Sequence, residues 1–209
     1  MQNEGQIHAT GSWAGKRAGM LAAFVFWQLA CLLTYILLVM PAQAQSQMVE
    51  VSQVRAAYLY NFVKFVEWPP VAYQSVDAPA VICIVGDART SSVLELATLA
   101  KKANGRRVEA RQPRSANEFK SCHVLFIGFS DKPRISAILR SVKDSNVLTI
   151  GQTDGFISLG GMINLVEKDG NIGLEIDPKA TEEAGLKVSS RLLVISRIVN
   201  GPFREGGPQ

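Results

Sequence analysis

Cys83, Cys122 and His123 are the side chains of this 209-residue chain best equipped for chemistry, and the last two are adjacent. A cysteine pair can close a disulfide or act as a redox couple. A Cys-His neighbour pair could instead activate a thiol or begin a metal site. Little in the rest of the chain supports that second possibility. The other cysteine and histidine, Cys31 and His8, fall within the first 44 residues, so a zinc site lacks ligands. No Gly-x-Ser-x-Gly elbow presents a serine to His123, and the phosphate- and dinucleotide-binding glycine loops are missing. These absences argue against a standard hydrolase, kinase or dehydrogenase. No catalytic residue, metal or cofactor is therefore assigned, and His123, at the start of an apolar run, reads as structural.

Residues 1–44 read as a targeting segment. Lys16 and Arg17 give a basic start, Ala18 to Met40 is an apolar run broken only by Gln28 and Thr34, and Ala42-Gln43-Ala44 has the pattern a signal peptidase accepts. The run could just span a bilayer as an anchor, but an anchor does not need that tripeptide, so cleavage after Ala44 is expected. Either way the remainder is exported. Removing Lys16, Arg17 and Glu4 from 22 basic and 18 acidic residues leaves 20 and 17, too mild a surplus for nucleic-acid binding. In an oxidising compartment the isolated Cys83 and Cys122 are expected to pair, two buried free thiols being the competing reading. Residues 45–200 suffice for one compact domain, and the Gly/Pro-rich residues 201–209 read as a flexible tail.

The elements follow from the hydrophobic pattern. Val54 to Pro70 reads as an aromatic-rich amphipathic helix stopped by Trp68-Pro69-Pro70. Val51, Val54, Tyr58, Phe62 and Phe65 form one stripe, which Leu59, Val63 and Val66 widen. Its polar strip is too poor in basic residues for a lipid surface, so it is expected to pack on a sheet. Arg55 falls inside the apolar arc and is read as snorkelling to solvent, with an ion pair across an interface as the alternative. Ala80 to Val85, His123 to Ile127 and Val147 to Ile150 read as buried parallel strands, each ending in glycine. Arg107 to Arg111 is a shorter alternating strand. Thr90 to Ala103 and Lys132 to Val142 read as the intervening helices, the latter capped by Ser130 or Asp131. Met162 to Val166 and Ile172 to Ile176 form a hairpin about Asp169-Gly170. A short helix, Lys179 to Ala184, and a terminal helix, Ser190 to Val199, close the chain. The fold class is α/β: a single three-layer domain, a mostly parallel sheet flanked by helices, with a C-terminal antiparallel hairpin.

Two polar clusters could hold a ligand. One is the set of strand ends, Gly86-Asp87, Gly128-Phe129-Ser130 and Gly151-Gln152-Thr153-Asp154, where open α/β sheets form a crevice and helix N-termini favour an anion. The other is Lys187, Ser189, Ser190 and Arg191, with Ser189 or Ser190 as the N-cap of the last helix.

Several ungapped runs resemble the YfiR family of small exported α/β proteins. They are Ala56 to Pro69 (AAYLYNFVKFVEWP), Cys83 to Gly86, Cys122 to Ile127, Gly160 to Val166 and Ala184 to Leu193. The resemblance covers about Val54 to Val199 in unbroken order. It implies a periplasmic regulator and not an enzyme, one that holds an inner-membrane diguanylate cyclase inactive by binding its periplasmic domain, lowering cyclic di-GMP and biofilm formation. It also implies a homodimer, a partner-binding patch including Ile163 and Glu175, and a family disulfide at Cys83 and Cys122. Lys187 falls near a proposed small-ligand pocket, where Ser189 and Arg191 would help grip an anionic or aromatic molecule. A small-ligand sensor is accordingly the alternative function. The family's second cysteine pair would fall near Ile157 and Asn164, neither of which is cysteine. A redox response must therefore use Cys83 and Cys122. An inhibitor of this kind is expected to expose an apolar patch rimmed by polar residues on the hairpin or the first helix.

Overall fold

The computed structural model describes residues 26–35, 51–168, 171–199 and 201. The chain divides into a unit up to Val49, of which residues 26–35 are helical and exposed, and a unit from Glu50 onward. No helix among the described residues is long and apolar enough to cross a membrane. The cleavage point expected after Ala44, the Asp169-Gly170 turn and the tail beyond Gly201 lie outside the described residues.

The second unit opens with helix α1 (residues 51–65), which runs into a two-residue strand, β1 (Val66–Glu67), before Trp68-Pro69-Pro70. The apolar run Ala80–Val85 forms β2, buried along its whole length as a strand covered on both faces must be. Next come α2 (Ala88–Thr98), β3 (Lys102–Ala103), β4 (Arg106–Arg111), α3 (Ala116–Phe119) and β5 (Val124–Ile127). Helix α4 (Lys132–Ser141) starts at Asp131, whose side chain accepts from the Arg134 N–H. It leads to β6 (Leu148–Gly151), and β7 (Ile163–Lys168) and β8 (Asn171–Ile176) form the hairpin, with Lys168 opposite Asn171. The chain ends with α5 (Pro178–Glu183), β9 (Lys187–Val188), α6 (Ser190–Val194) and β10 (Ser196–Ile198).

The main sheet has the order β10-β8-β7-β6-β5-β2-β4-β3. The run from β4 through β7 is parallel, β10 is parallel to β8, and only β7–β8 and β3–β4 are antiparallel. A separate antiparallel ribbon joins β1 to β9. This is the expected mostly parallel α/β sheet with its C-terminal hairpin. Alternation along β2 divides the core between two layers. Ala80, Ile82 and Ile84 meet Leu59, Phe62 and Val63 of α1, Leu94 of α2 and Leu192 of α6. Val81, Cys83 and Val85 meet Phe119 of α3 and Ile135, Ile138 and Leu139 of α4. Phe156 is fully buried against Gly151 and Gly161, where an added Cβ would lie 2.2 and 2.1 Å from its ring. That close approach leaves room only for glycine at the end of β6 and just before β7.

Three elements depart from the sequence expectation. Helix α2 stops at Thr98, and Ala100 adopts φ 58°. Lys102 and Ala103 become strand β3, leaving Leu96 and Leu99 exposed instead of packed. The expected terminal helix ends at Val194, and Ser196–Ile198 joins the sheet. In α1 the buried stripe is Ser52, Ala56, Leu59, Phe62, Val63 and Val66, while Val54 is 40% exposed. The stripe is rotated toward Arg55 because Arg55 finds a partner inside, as described below.

Candidate functional site

Cys83 and Cys122 form a disulfide with a Cα–Cα distance of 5.8 Å, both residues being buried. It joins the middle of β2 to the residue before His123, and these two strands already pair in register. Three contacts hold His123. Its Nδ1 accepts the Val81 N–H at 3.1 Å, which places the imidazole proton on Nε2. Its ring lies 4.4 Å from that of Tyr73 and edge-on to Trp68. The Arg106 guanidinium covers the other face of the tyrosine at 3.7 Å and donates to the carbonyls of Ser75 and Ala78. Burial first, then the charges of Arg106 and Arg111, lowers the His123 pKa to about 4. The imidazole is thus neutral at physiological pH and engaged with backbone. It is a structural histidine.

The residues expected to meet a partner divide between the two faces of the hairpin. Directly opposed residues of antiparallel strands share a face. Ile163 is opposite Ile176 and buried in the core with α1, whereas Glu175 is opposite Asn164 on the other face. There the Asn164 Nδ2 donates to Glu175 at 3.2 Å, and Arg197 of β10 pairs with the same carboxylate. Close by in sequence, Val194, Ile195 and Ile198 are 84%, 64% and 60% exposed, Ile198 standing opposite Ile176 on the other face from this pair. Strongly exposed large apolar residues thus lie on α6 and β10, as they do at Val71, Val76, Leu96 and Leu99, and not on the hairpin. The hairpin's apolar side chains are mostly buried, and α1 leaves only Val54 strongly exposed among its large apolar residues. Reading Ser190 to Val199 as one helix missed strand β10, which the β-branched Ile195, Ile198 and Val199 favour.

Lys187, Ser189 and Arg191 stand close in sequence at the turn from β9 into α6. Lys187 pairs across the ribbon with Glu67, and both it and Arg191 are exposed. Ser189 is the N-cap of α6, but its hydroxyl makes no capping bond and is buried without a partner. Ser189 enters the fold through its backbone, its N–H donating to the Phe65 carbonyl at 2.8 Å.

The strand ends do converge. Gln152 Nε2 donates to the Gly128 carbonyl at 2.8 Å, and the Thr153 hydroxyl to the Phe129 carbonyl at 3.1 Å. Arg55 does not snorkel: its Nη1 lies 2.8 Å from Asp87 Oδ2 with both side chains largely buried. Asp87 also caps α2, accepting from the Thr90 N–H at 2.9 Å and its hydroxyl at 2.6 Å. Asp87→Ala is expected to destabilise the protein by about 2 kcal/mol, through loss of the cap and an unpaired Arg55. Chemical denaturation checks this, and a loss under about 0.5 kcal/mol would mean water screens the pair.

A neutral, enclosed histidine and a disulfide within the core belong to a small α/β domain with exposed apolar residues on α6 and β10. The chain belongs to the YfiR/HmsC-like family, whose model matches residues 52–197. That family is regulatory rather than catalytic. No curated protein matches the chain significantly.

Proposed function

We propose that this protein is a periplasmic inhibitor that binds the periplasmic domain of an inner-membrane diguanylate cyclase and so lowers cyclic di-GMP. The observation that carries this reading is the exposure of Val194 and Ile195 at the end of α6 and of Ile198 on the edge strand β10, where the neighbouring Arg197 pairs with Glu175 on the opposite face. Exposed apolar groups ringed by polar ones suit a docking surface. In this reading Glu175 meets the partner at the rim, while Ile163, buried on the face that Ile176 and Ile198 share, seats β7 in the core. Export removes the N-terminal segment, and the working form is a homodimer. Val194→Asp with Ile198→Asp is expected to weaken capture of the cyclase domain at least about 30-fold, the loss of a central anchor. Cellular cyclic di-GMP would then rise. Unchanged capture by a variant with wild-type unfolding would sink the assignment.

A second reading, a sensor for a small anionic or aromatic ligand held by Lys187, Ser189 and Arg191, draws on the unpartnered Ser189 hydroxyl beside two exposed cations. Calorimetric titration with indole-3-acetate as probe separates the two. Heat of binding that disappears in Lys187→Ala favours the sensor, and none removes it.

A further inference from the structure

The geometry points to a second docking site at the free edge of β4, where an extended acidic peptide would add as a further strand. The site is a groove of about 400 Å³ between the last turns of α2, at Glu95, Thr98 and Leu99, and strand β4 from Arg107 to Arg111. Strands β3 and β4 share only two residue pairs, Lys102 opposite Arg107 and Ala103 opposite Arg106. One further bond, from the Val108 N–H to the Lys101 carbonyl at 3.2 Å, extends that ribbon. Strand β2 covers the other side of β4 from Val108 to Arg111. Beyond Val108 the outer edge of β4 therefore has no strand neighbour among the described residues. Backbone groups alternate in direction along a strand, so Ala110 turns its N–H and C=O toward the same edge as the Val108 N–H. An unpaired strand edge is a template for another strand.

The side chains define which strand fits. Lys102 and Arg107 are directly opposed and so share a face, and alternation adds Glu109 and Arg111 to it. Arg111 pairs with Glu109 at 2.7 Å. That leaves Lys102 and Arg107 exposed, with no ion pair among the described residues. Like charges directly opposed across a ladder destabilise it, and an incoming carboxylate relieves the repulsion. The other face of β4 carries Val108 and Ala110, both packed on the core. Leu99, 69% exposed, lines the same groove. An added strand would thus set carboxylates on one face and apolar side chains on the other, which is an alternating acidic and apolar sequence. The acidic residue of the α2 wall, Glu95, is already engaged, accepting from the Ser91 hydroxyl at 3.2 Å and from Gln112 Nε2 at 3.4 Å. A second copy of this chain would bring the same two cations to this edge, and like charge disfavours it. The groove lies at the opposite end of the sheet from β10, so it does not rest on how a cyclase is bound.

The test is fluorescence anisotropy of the purified full chain with a labelled, end-blocked hexapeptide of alternating glutamate and valine. This peptide is expected to bind in the micromolar range, and its lysine-valine counterpart to show no binding at millimolar concentration. Of the two peptides N-methylated at alternate amides, one is expected to lose binding, because one set of N–H groups must face β4. Lys102→Gln with Arg107→Gln, both at exposed positions, is expected to weaken binding about tenfold. The same variant should unfold no earlier than the parent, since it removes two opposed like charges. No binding of the glutamate-valine peptide at millimolar concentration, equal affinity in the double variant, or retained binding by both methylated peptides would each overturn the proposal. Binding to phosphatidylglycerol vesicles in preference to the peptide would assign the face to a membrane and overturn it as well.

Discussion

Replacing Cys83 and Cys122 together by alanine is expected to lower the stability of the folded protein by about 4 kcal/mol, the chain-entropy value for a loop of this length. The pair spans a sequence separation of 39, so the unfolded chain gains much freedom when the bond is lost. For a domain of this size that corresponds to a fall of roughly 10 °C in the unfolding midpoint. The native state itself should change little. Cys83 and Cys122 join strands that already pair from Ile82 opposite Val124 to Val85 opposite Ile127, and the His123 N–H donates to the Val81 carbonyl at 2.9 Å beside them. Both cysteines are buried against α3 and α4, and alanine leaves no polar group unsatisfied there. Reduction is expected to act in the same way, loosening the whole domain without re-pairing a strand. The burial of both sulfur-bearing residues further predicts slow reaction with dithiothreitol below the unfolding transition. Urea denaturation of the double-alanine variant beside the oxidised protein measures the effect. A difference under about 1 kcal/mol would show that the unfolded chain is already compact around this loop.

Much of the architecture was legible because it rests on strong local patterns. Ala80–Val85, Val124–Ile127 and Leu148–Gly151 are apolar on both faces and end in glycine, and they became the buried centre of the sheet. The cysteine pairing likewise followed from compartment and count, and the structure forms that bond. The errors arose where a weak pattern was extended past a stronger one. Leu96 and Leu99 prolonged the expected helix α2 to Ala103, although Asn104-Gly105 is the best short hairpin signal in the chain. Those two residues adopt φ 50° and 81°, and β3 and β4 pair around them.

The candidate site was less legible than the fold. Ile163 and Glu175 stand on paired strands, yet period-two alternation and register put them on opposite faces, one buried and one at the rim. Register depends on the turn and on neighbouring strands, so no single segment reveals it. Arg55 shows the same limit. Its partner, Asp87, lies 32 residues away, at a strand end that local pattern marks only as polar.

Acidification is expected to cost the folded protein about 3 kcal/mol through His123 alone, from a pKa lowered to about 4 against an ordinary value of 6.5. The sign follows from proton counts. Between about pH 6.5 and pH 4 the unfolded chain holds a proton on this imidazole that the folded chain refuses. Stability from this group is complete above pH 6.5 and is lost as pH falls through that window, most of it gone by about pH 4.5. The folded protein refuses the proton for reasons visible in the packing. A proton on Nδ1 would break the bond from the Val81 N–H, and the resulting cation would sit between Trp68 and Tyr73 with Arg106 just beyond. Among the described residues no carboxylate hydrogen-bonds the ring, and its Nε2 is buried without a partner. His123→Asn is the informative variant, because its amide oxygen can replace Nδ1 as acceptor while the site no longer titrates. It will be less stable than the parent at neutral pH, having lost the ring's packing. Its loss of stability from about pH 7 to about pH 4.5 should nevertheless be smaller by about 2 to 3 kcal/mol. Comparing the two slopes cancels the carboxylates that both proteins share. Equal slopes would mean that the folded protein protonates His123 as readily as the unfolded chain does, and that the stack of Arg106, Tyr73 and Trp68 opens at little cost.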